Sequence, residues 1–535
     1  MSSLSPSPLE GKRVSNIRTE QGDSGLQALL LAAGKGTRLR TEDPVLPKCL
    51  VTLQGTSLLR QAMQRLSNAG VTRFVIVVGY QSEQIIAHIG DSFCGRPVDY
   101  VENTRFDTTN NIISVLAAEP FLIRHDTILV ETDVVFTQSL ISQVLVDPRP
   151  NLAVVDRFHS SMDGGAVEVE VSGRVLGFHG KKLAFSRQSQ ASYLKTVNIY
   201  KLSQEFTQTH FMPVLKRYID EDPGHEQNFY EQALDRVVRR GTAHLEAFTV
   251  SGARWYEIDD AEDLSAAASL FTDPEDRHQD LSFRCGGYWR FPGVVDMSSP
   301  AVDAWPDPSL LDEISWGVRE AVAMRPSSPA TQDVLAAHVL HVNAHHAAVV
   351  PSRAIDGIAG LRRLGPDGLR ARGVSSLSEL VAAQSSPAVL VPISRIYGLD
   401  GLDVNVIVSS DESILAAARS RRLGQFDSVA EYTLRAVGKL EKRLFPNVLR
   451  LLNARDNLVR QVESSAEMRV SRVDDFGIWC TLSSGKPVKS FAAELLSKHD
   501  LFVPVDEAES TFRLSPWSVQ RSSLRVFDLE DVMRS

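Results

Sequence analysis

A glycine-rich turn near the start of the chain is the first candidate for chemistry. It follows a short apolar run and consists of Ala32, Ala33, Gly34, Lys35, Gly36, Thr37 and Arg38. Glycines let a backbone approach a phosphate closely, and a helix expected after the turn would add partial positive charge. The turn fits neither G-x-G-x-x-G nor G-x-x-x-x-G-K-[ST], which excludes a dinucleotide-binding loop and a P-loop. Taken alone, it could equally be an ordinary strand-to-helix turn.

Three charged residues elsewhere could complete a phosphate site. Lys48 follows Pro47, and an ammonium held beside such a stiff turn can reach a phosphate as a point charge. Asp133 follows the apolar run 127–130, and open α/β sheets bind ligands at the carboxyl ends of their strands. Asp259 lies in a second acidic cluster, and two carboxylates from distant strands could hold one Mg²⁺. Each also has a structural alternative: a solvated lysine, a helix cap or a surface turn.

The elements that must position these residues alternate between short apolar strands and amphipathic helices. Apolar runs predict strands at Ala28–Ala32, Arg73–Gly79 and Asp126–Val130, and helical spacing predicts helices at Thr56–Ala69 and Gln81–Ile89. This alternation predicts a mostly parallel sheet with helices on both faces. Three later strands are expected to add an antiparallel part: Asn151–Asp156, Ala166–Val171 and Lys195–Tyr200.

The length of 535 residues predicts two or three domains, at about 100–200 residues for each. We expect a flexible arm over 1–25, an α/β domain over 26–272, a polar linker over 273–285 and a second domain over 286–535. In the second domain a helix is expected at Ser428–Arg443, and strand-like pieces are expected at Arg469–Thr481 and Ser523–Phe527.

Composition excludes several classes of protein. A net charge of −9 argues against general nucleic-acid binding, which needs surplus lysine and arginine. The first residues lack the apolar core of a signal peptide, and no run approaches the roughly 18 apolar residues that span a bilayer. The four cysteines are scattered, which indicates neither a zinc site nor a disulfide framework. We therefore expect a cytoplasmic protein.

Taken together, the motifs of the first half resemble a known enzyme family. The glycine-rich turn with Pro47-Lys48-Cys49-Leu50 resembles the signature of nucleotide-sugar-pyrophosphorylase-like nucleotidyltransferases. Further segments resemble the branch of phosphocholine and phosphonate cytidylyltransferases: Asn110-Asn111-Ile112 with Ser114, Glu131-Thr132-Asp133-Val134, Met162-Asp163-Gly164, Lys195-Thr196-Val197-Asn198-Ile199-Tyr200 and Tyr256-Glu257-Ile258-Asp259. The resemblance covers Leu26–Ser269 and implies a Rossmann-like, three-layer α/β domain with a mixed, mostly parallel sheet.

The resemblance implies a role for each matching residue. Nucleotide binding would fall to the turn residues Ala32, Ala33, Gly34, Lys35, Gly36, Thr37 and Arg38. Catalysis would depend on Arg38, Lys48 and Asp133. Asp133 and Asp259 would hold Mg²⁺, with Glu257 a weaker candidate. The acceptor would be faced by Asn110, Asn111, Lys195 and Asn198. Glu131 stands where the family usually has an aspartate, which leaves its role open.

The activity implied is Mg²⁺-dependent transfer of CMP from CTP to a phosphonate or phosphocholine-like acceptor, with release of pyrophosphate. Such a reaction would suit a natural-product pathway. Transfer of a nucleotide to a sugar 1-phosphate on the same fold is the enzymatic alternative. A non-enzymatic scaffold or regulator is the alternative of another class.

The second half resembles a fold-type I aminotransferase that has lost its chemistry. The segment Ile393–Val404 resembles the family's cofactor-lysine segment, but Arg395 replaces the lysine and Asp403 replaces an expected phosphate-binding arginine. Arginine cannot form the imine that pyridoxal phosphate requires. Ser352–Leu361 resembles the first helix of the cofactor domain, and Arg525 matches a substrate-binding arginine. The resemblance implies a truncated α/β domain that lacks pyridoxal phosphate and serves as a scaffold, as the surface of a homodimer or as a docking platform.

Overall fold

The computed structural model describes most of the chain in two units, residues 1–294 and 295–535. The described residues are 25–36, 38–39, 46–157, 162, 164–179, 193–241, 243–283, 294–298, 306–355, 358–364, 375–382, 384, 386–399, 402–422, 427–474 and 476–516. All but the last residue of the arm expected at 1–25 lie outside these ranges. No helix among the described residues is both long enough and apolar enough to cross a membrane.

The first unit combines strands and helices in alternation. Its strands are β1 (Gln27–Ala32), β2 (Thr52–Leu53), β3 (Thr56–Ser57), β4 (Arg73–Val78), β5 (Ser92–Phe93), β6 (Arg96–Glu102), β7 (Thr127–Glu131), β8 (Val134–Phe136), β9 (Leu152–Arg157), β10 (Ala166–Val169), β11 (Val175–His179), β12 (Tyr193–Leu202), β13 (Glu246–Thr249) and β14 (Trp255–Glu257). Its α-helices are α1 (Leu58–Asn68), α2 (Ser82–Ile89), α3 (Asn111–Ala117), α4 (Glu119–Leu122), α5 (Gln138–Val146), α6 (Gln204–Phe206), α7 (Met212–Glu221), α8 (Glu231–Arg239), α9 (Ala261–Phe271) and α10 (Pro274–Phe283).

The main sheet is mixed, with a parallel centre. Its strand order is β11-β10-β12-β7-β1-β4-β6-β5, and β9 pairs with both β12 and β13. Strands β7, β1, β4 and β6 are parallel, whereas β12 runs antiparallel to β7, β9 and β10. The fold class expected from the sequence is thereby confirmed, including the antiparallel part formed by the later strands.

Strand β1 shows why helices cover both faces of this sheet. Leu29 and Leu31 belong to one buried cluster, while Ala28, Leu30 and Ala32 belong to another. Successive side chains of a strand point to opposite faces, so an uninterrupted apolar run needs a hydrophobic layer on each side. The first cluster includes side chains of α3, α7 and α8, and the second includes side chains of α1, α2 and α5.

Two expectations about local structure differ from what is observed. Arg38 and Leu39 are not helical, so the helix expected directly after the glycine-rich turn does not follow at these two residues, and the first α-helix of the described residues begins at Leu58. The predicted linker 273–285 consists largely of helix α10, and the boundary between the units falls at 294/295. Arg277 and His278 of α10 are buried, so this polar stretch forms a packed face that its composition does not reveal.

The second unit is also α/β. Its strands are β15 (Val295–Asp296), β16 (Ala347–Val350), β17 (Arg362–Arg363), β18 (Ala388–Val391), β19 (Asn405–Ser409), β20 (Met468–Val473), β21 (Ile478–Leu482), β22 (Leu501–Phe502), β23 (Val505–Asp506) and β24 (Thr511–Leu514). Its helices are α11 (Pro308–Ala321), α12 (Pro329–Val339), α13 (Leu377–Ala382), α14 (Ile393–Ile396), α15 (Glu412–Arg421), α16 (Ser428–Ser464) and α17 (Val488–His499).

Two four-stranded sheets organise this unit, with orders β16-β19-β18-β17 and β20-β21-β24-β23. Helix α16 is longer than the predicted helix because buried side chains continue past Pro446, which itself lies on an exposed face. Where the resemblance implied a helix at Ser352–Leu361, the described residues of this range form a short 3₁₀ turn at Ser352–Ala354 and no α-helix. The strand expected at 523–527 and Arg525 lie outside the described residues.

Candidate functional site

Lys48 brings together the charged residues that the sequence singled out. Its Nζ lies 2.8 Å from Oδ2 of Asp133 and 3.0 Å from Oδ1 of Asp259. The two contacts join residues 85 and 211 positions apart in the chain. Arg38 Nη2 lies 2.8 Å from the same Asp259 oxygen. The carboxylates of Asp133 and Asp259 therefore form one cluster with Lys48 and Arg38, at the carboxyl end of the parallel strands.

The pairing of two short strands explains how Asp133 meets Asp259. Strand β8 starts directly after Asp133, strand β14 ends two residues before Asp259, and the two pair antiparallel with Val134 opposite Glu257. The amide of Ile258 then donates to the carbonyl of Asp133 at 2.9 Å. Helix α9 begins just after Asp259, and its capping residue Asp260 fixes that end of the strand. The backbone therefore determines the separation of the two aspartates.

Lys48 remains a cation in this setting. Burial alone would lower the pKa of its ammonium, but the carboxylates of Asp133 and Asp259 more than offset that cost and raise the pKa above its usual value. The side chain of Lys48 is only 14% exposed. Its position is set by a 3₁₀ turn, Lys48–Leu50, that follows Pro47. A fixed and permanently charged ammonium is thus available beside the two carboxylates.

The glycine-rich turn lies next to this lysine. Gly36 has a φ of +61°, and a Cβ built on it would lie 2.5 Å from Cβ of Lys48. Gly34 and Lys35 are exposed, while Ala32 and Ala33 are buried, so the turn presents its backbone and polar members outward. Arg38 is also exposed. Thr37 lies outside the described residues.

Replacing Gly36 with alanine is expected to reduce activity far more than stability, because the new methyl group would displace Lys48. Gly55→Ala is the matched control: Gly55 also has a positive φ, of +76°, but apart from its chain neighbours no atom of the described residues lies within 4 Å of its built Cβ. Both variants should lose roughly 1–2 kcal/mol from backbone strain. Turnover should fall at least about tenfold in Gly36→Ala only. Thermal unfolding measures the loss of stability, and the rate of the nucleotidyl transfer expected from the sequence measures the loss of turnover. Equal losses of activity in the two variants would contradict this account.

The two aspartates fit a Mg²⁺ ion that is completed by substrate oxygens. Oδ1 of Asp133 is a buried oxygen that has no hydrogen-bond partner among the described residues, and Asp259 supplies a second carboxylate close by. Within the described residues, no group of three or more Asp, Glu, His or Cys side chains could hold a metal by itself. Mg²⁺ in nucleotide enzymes is commonly bound by one or two carboxylates together with phosphates of the substrate. This donor set suits that arrangement.

Two of the residues expected to face the acceptor converge on Glu257. Lys195 Nζ lies 2.9 Å from Oε2 of Glu257, and Asn198 Nδ2 donates to Oε1 of Glu257 at 3.0 Å. Lys195 is 1% exposed and also donates to the carbonyl of Thr196. Asn198 has a φ of +61° within β12, where the pairing with β9 is irregular. Asparagine tolerates this conformation better than most residues, which indicates why it interrupts a β-branched run.

The other two expected acceptor residues have different surroundings. Asn111 Nδ2 donates to Oε1 of Glu131 at 3.2 Å, and its Oδ1 accepts from the amide of Tyr230. Asn110 caps helix α3 and donates to the carbonyl of Gln227 at 3.2 Å. Asn111 therefore lies beside the carboxylates of the site, whereas the contacts of Asn110 are those of a structural cap.

Glu231 and Tyr230 lie beside Glu131, and the sequence did not single them out. Burial raises the pKa of Glu231 to about 7, and burial together with neighbouring carboxylates raises the pKa of Glu131 well above its usual value. The hydroxyl of Tyr200 donates to Oε1 of Glu231 at 3.3 Å. The acidic first residue of an amphipathic helix is an ordinary feature, so no sequence signal distinguishes Glu231.

In the second unit, Arg395 lies on the short helix α14, directly after β18, and is partly buried. The carboxylate of Asp403 accepts hydrogen bonds from the backbone amide of Ser352 at 2.9 Å and from its hydroxyl at 2.6 Å. Asn405 Nδ2 donates to the same carboxylate at 2.9 Å. Asp403 thus links the two segments that resemble the cofactor-binding parts of an aminotransferase.

Comparison with known proteins matches residues 28–167 to the MobA-like NTP transferase domain. The chain is 30% identical over 271 residues to the CMP-5'-(3-aminopropyl)phosphonate synthase of Streptomyces rubellomurinus. This match covers 51% of this chain and 42% of that protein. It is 25% identical over 241 residues to the 2-aminoethylphosphonate cytidylyltransferase of Lancefieldella rimae. This second match covers 45% of this chain and 90% of the relative.

A third relative is the CTP:phosphoglutamine cytidylyltransferase of Campylobacter jejuni, 23% identical over 256 residues, with 45% of this chain and 98% of the relative covered. The chain therefore spans less than half the length of the Streptomyces rubellomurinus protein but nearly all of the two shorter relatives. Residues 28–167 thus match the model of the MobA-like NTP transferase domain, and the three relatives described are named as a CMP-phosphonate synthase and two cytidylyltransferases.

Proposed function

We propose that the first unit transfers CMP from CTP to a phosphonate or phosphocholine-like acceptor and releases pyrophosphate. The observation that carries the proposal is the convergence of Lys48, Asp133, Asp259 and Arg38 beside the glycine-rich turn. The names of the three relatives, each a CMP-transferring enzyme or synthase, favour CTP and a phosphonate or phosphorylated acceptor. A role in natural-product biosynthesis is part of the same proposal.

In this reaction, the chain acts by positioning and by neutralising charge. The backbone of the glycine-rich turn receives the triphosphate, and Arg38 and Lys48 offset its negative charge as the α-phosphorus is attacked. Asp133 and Asp259 would hold Mg²⁺, which supplies further positive charge to the phosphates. The buried position of Lys48 keeps its charge strong, because little water screens it.

The acceptor needs no strong general base. A phosphonate or phosphate oxygen is already anionic near neutral pH and forms the new bond to the α-phosphorus directly. The bond between the α-phosphorus and the bridging oxygen breaks, and pyrophosphate leaves with that electron pair. Holding the two reactants in line supplies much of the acceleration. This account uses no covalent intermediate on the protein.

The experiment that tests the proposal is an assay of pyrophosphate release by the full chain with Mg²⁺. CTP, UTP, ATP and dTTP are each offered with aminoalkylphosphonates, phosphocholine and glucose 1-phosphate. We expect release with CTP and a phosphonate or phosphocholine-like acceptor. Release only with a sugar 1-phosphate would support the alternative activity, and no release with any pair would favour a non-enzymatic role.

We also propose that the second unit binds no pyridoxal phosphate. Arg395 cannot replace the lysine that forms the imine, and the carboxylate of Asp403 would repel a phosphate where the resembled family has an arginine. Asp403 instead accepts hydrogen bonds from the amide and the hydroxyl of Ser352. These residues therefore do not fit the cofactor, and no aminotransferase step is derived from them.

Purified full-length protein incubated with pyridoxal phosphate and then dialysed is expected to show no absorption band in the visible region. A working aminotransferase treated in parallel is the control. A yellow chromophore that disappears on treatment with borohydride would contradict the prediction, because it would reveal an imine between the cofactor and an amine of the protein.

The second unit is proposed to pair with a second copy of itself. Trp316, Val322 and Met324, on and just after α11, are 75%, 68% and 62% exposed, and such apolar surface favours association. Light scattering is expected to give the mass of a dimer for the natural chain and of a monomer for the Val322→Asp/Met324→Asp variant. Val473→Asp, a change at another exposed valine, is the control. A monomer in every case would contradict the proposal.

A further inference from the structure

Two loops beside the candidate site are joined by an ion pair. Loop 103–110 connects β6 to α3, and loop 222–230 connects α7 to α8. Nη1 of Arg105, in the first loop, donates to Oε1 of Glu226, in the second, at 3.0 Å, and Nη2 contacts Oε2. The two side chains are 39% and 21% exposed, and they lie 121 positions apart in the chain. Paired hydrogen bonds of this kind fix the orientation of both partners as well as their distance.

Further contacts between the same two loops lead from the ion pair to Asn110. The carbonyl of Glu226 accepts from the amide of Asn110 at 2.8 Å, and the carbonyl of Gln227 accepts from the side chain of Asn110 at 3.2 Å. Gln227 Nε2 also donates to the carbonyl of Thr108. The ion pair therefore belongs to a continuous connection between the loops, and the backbone of Glu226 is itself part of that connection.

The connection continues to Asn111, one of the residues expected to face the acceptor. Oδ1 of Asn110 accepts from the amide of Asn111 at 2.8 Å and caps α3. Oδ1 of Asn111 accepts from the amide of Tyr230, the last residue of loop 222–230, at 3.1 Å. Nδ2 of Asn111 donates to Glu131, at the end of β7. The orientation of the Asn111 side chain therefore depends on the two loops staying together.

Loop 103–110 is also held against the glycine-rich turn, through Phe106. A Cβ built on Gly79 would lie 2.7 Å from Cβ of Phe106 and 2.9 Å from the carbonyl oxygen of Ala33, so the close approach requires glycine. Lys35 Nζ lies 5.7 Å from the centroid of the Phe106 ring. These contacts do not use the ion pair between the loops. Its loss should therefore leave the loop in place on the side of the glycine-rich turn.

We propose that Arg105 and Glu226 form a positioning pair that aligns Asn111 with the acceptor. This inference rests on the proposed function, since it concerns the acceptor of that reaction. The pair acts through the two loops and needs no contact of its own with a substrate. A partly exposed ion pair adds little to the stability of the whole fold. A displacement of about 1 Å in a group that positions a substrate can nevertheless lower a rate by up to about a hundredfold.

The test uses Arg105→Met and Glu226→Gln, which break the ion pair and leave the backbone contacts possible. With the full chain, CTP and Mg²⁺, KM for 2-aminoethylphosphonate or phosphocholine is expected to rise at least about fivefold, while KM for CTP stays within about twofold of its natural value. The double variant should bind the acceptor no more weakly than the weaker single variant, because both changes remove the same interaction. Arg105→Lys keeps the charge without the paired geometry and should retain part of the affinity.

Lys216→Met and Glu119→Gln are the matched controls. Lys216 Nζ lies 2.6 Å from Oε1 of Glu119, with side chains 49% and 25% exposed, in an ion pair that joins α7 to α4. Both controls should keep the natural KM for the acceptor. The melting temperatures of all four single variants should fall by no more than about 3 °C. A merely structural pair would lower the melting temperature of Arg105→Met and Glu226→Gln without raising KM for the acceptor.

Calorimetric titration of the same two acceptors separates this inference from the proposed function. The protein is saturated with Mg²⁺ and a CTP analogue that carries a methylene bridge between the α- and β-phosphorus, so that no turnover occurs. Weaker acceptor binding by Arg105→Met and Glu226→Gln supports the inference even if the natural chain releases no pyrophosphate from CTP, a result that would overturn only the proposed function. Natural acceptor affinity in both variants, or additive losses in the double variant, would overturn only the inference. If the natural chain binds neither acceptor, both are overturned.

Discussion

Replacing Asp133 with asparagine is expected to lower kcat/KM for CTP at least about a hundredfold, which corresponds to roughly 3 kcal/mol of lost transition-state stabilisation. Asp133 would contribute one of two carboxylates to Mg²⁺, and it holds one side of the Lys48 ammonium at 2.8 Å. Asparagine keeps the shape of the side chain but removes its charge. Initial rates of pyrophosphate release, with Mg²⁺ varied, measure the change, and a higher Mg²⁺ requirement should accompany it.

Asp99→Asn is the matched control for this substitution. Asp99 pairs with Arg73 at 2.7 Å in the same sheet, and both side chains are about as buried as Lys48 and Asp133. Arg73 is the first residue of β4, so this pair lies away from the carboxyl ends of the strands. Both variants should lower the melting temperature, but only Asp133→Asn should reduce turnover. If Asp133→Asn released pyrophosphate at the natural rate, the proposed metal role would be wrong.

Replacing Lys48 with methionine is expected to reduce turnover at least about a hundredfold and to tighten the binding of divalent metal without nucleotide. The turnover is lost because no charge remains to offset the triphosphate. Metal binding improves because the ammonium contacts the carboxylates of Asp133 and Asp259 that would hold the ion. Opposite charges in contact interact by about 4 kcal/mol at an effective dielectric of 20, so a gain of at least tenfold in affinity is expected.

Titration with Mn²⁺ followed by electron paramagnetic resonance measures this affinity directly. The melting temperature of Lys48→Met should also rise more with added Mg²⁺ than that of the natural chain, since a ligand stabilises the state that binds it. Lys201→Met is the control, because Lys201 donates to the backbone carbonyls of Leu145 and Asp147 and has neither Asp133 nor Asp259 among its hydrogen-bond partners within the described residues. Unchanged Mn²⁺ affinity in Lys48→Met would show that the lysine and the metal do not compete.

The regular elements of the first unit were predictable because local hydrophobic patterns largely determine them. Strand β1 and helix α1 lie within two residues of their predicted bounds, since a continuous apolar run and a helical spacing have few alternatives. Helix α10 was missed because its sequence is polar and its burial depends on the packing of Arg277 and His278. Propensity does not reveal a face that only tertiary contacts bury.

The individual residues of the candidate site were only partly predictable. The glycine-rich turn, Lys48, Asp133 and Asp259 stand out because their types and neighbours suit phosphates and metals. Glu231 does not, because an acidic residue at the start of a helix has a common structural explanation. Tyr230 likewise has the appearance of an ordinary core residue.

The sequence by itself determined which chemical groups are present and which strand ends carry them. Only the tertiary structure decided which of them meet. The antiparallel pairing of β8 with β14 brings Asp259 to Asp133, and Lys48 joins the two across 85 and 211 positions of chain. The same packing pairs Glu257 with Lys195. It places the amide of Asn111 beside Glu131 and the hydroxyl of Tyr200 beside Glu231 as hydrogen-bond donors. Such partners depend on the register and packing of distant strands, which a local pattern of residues does not contain.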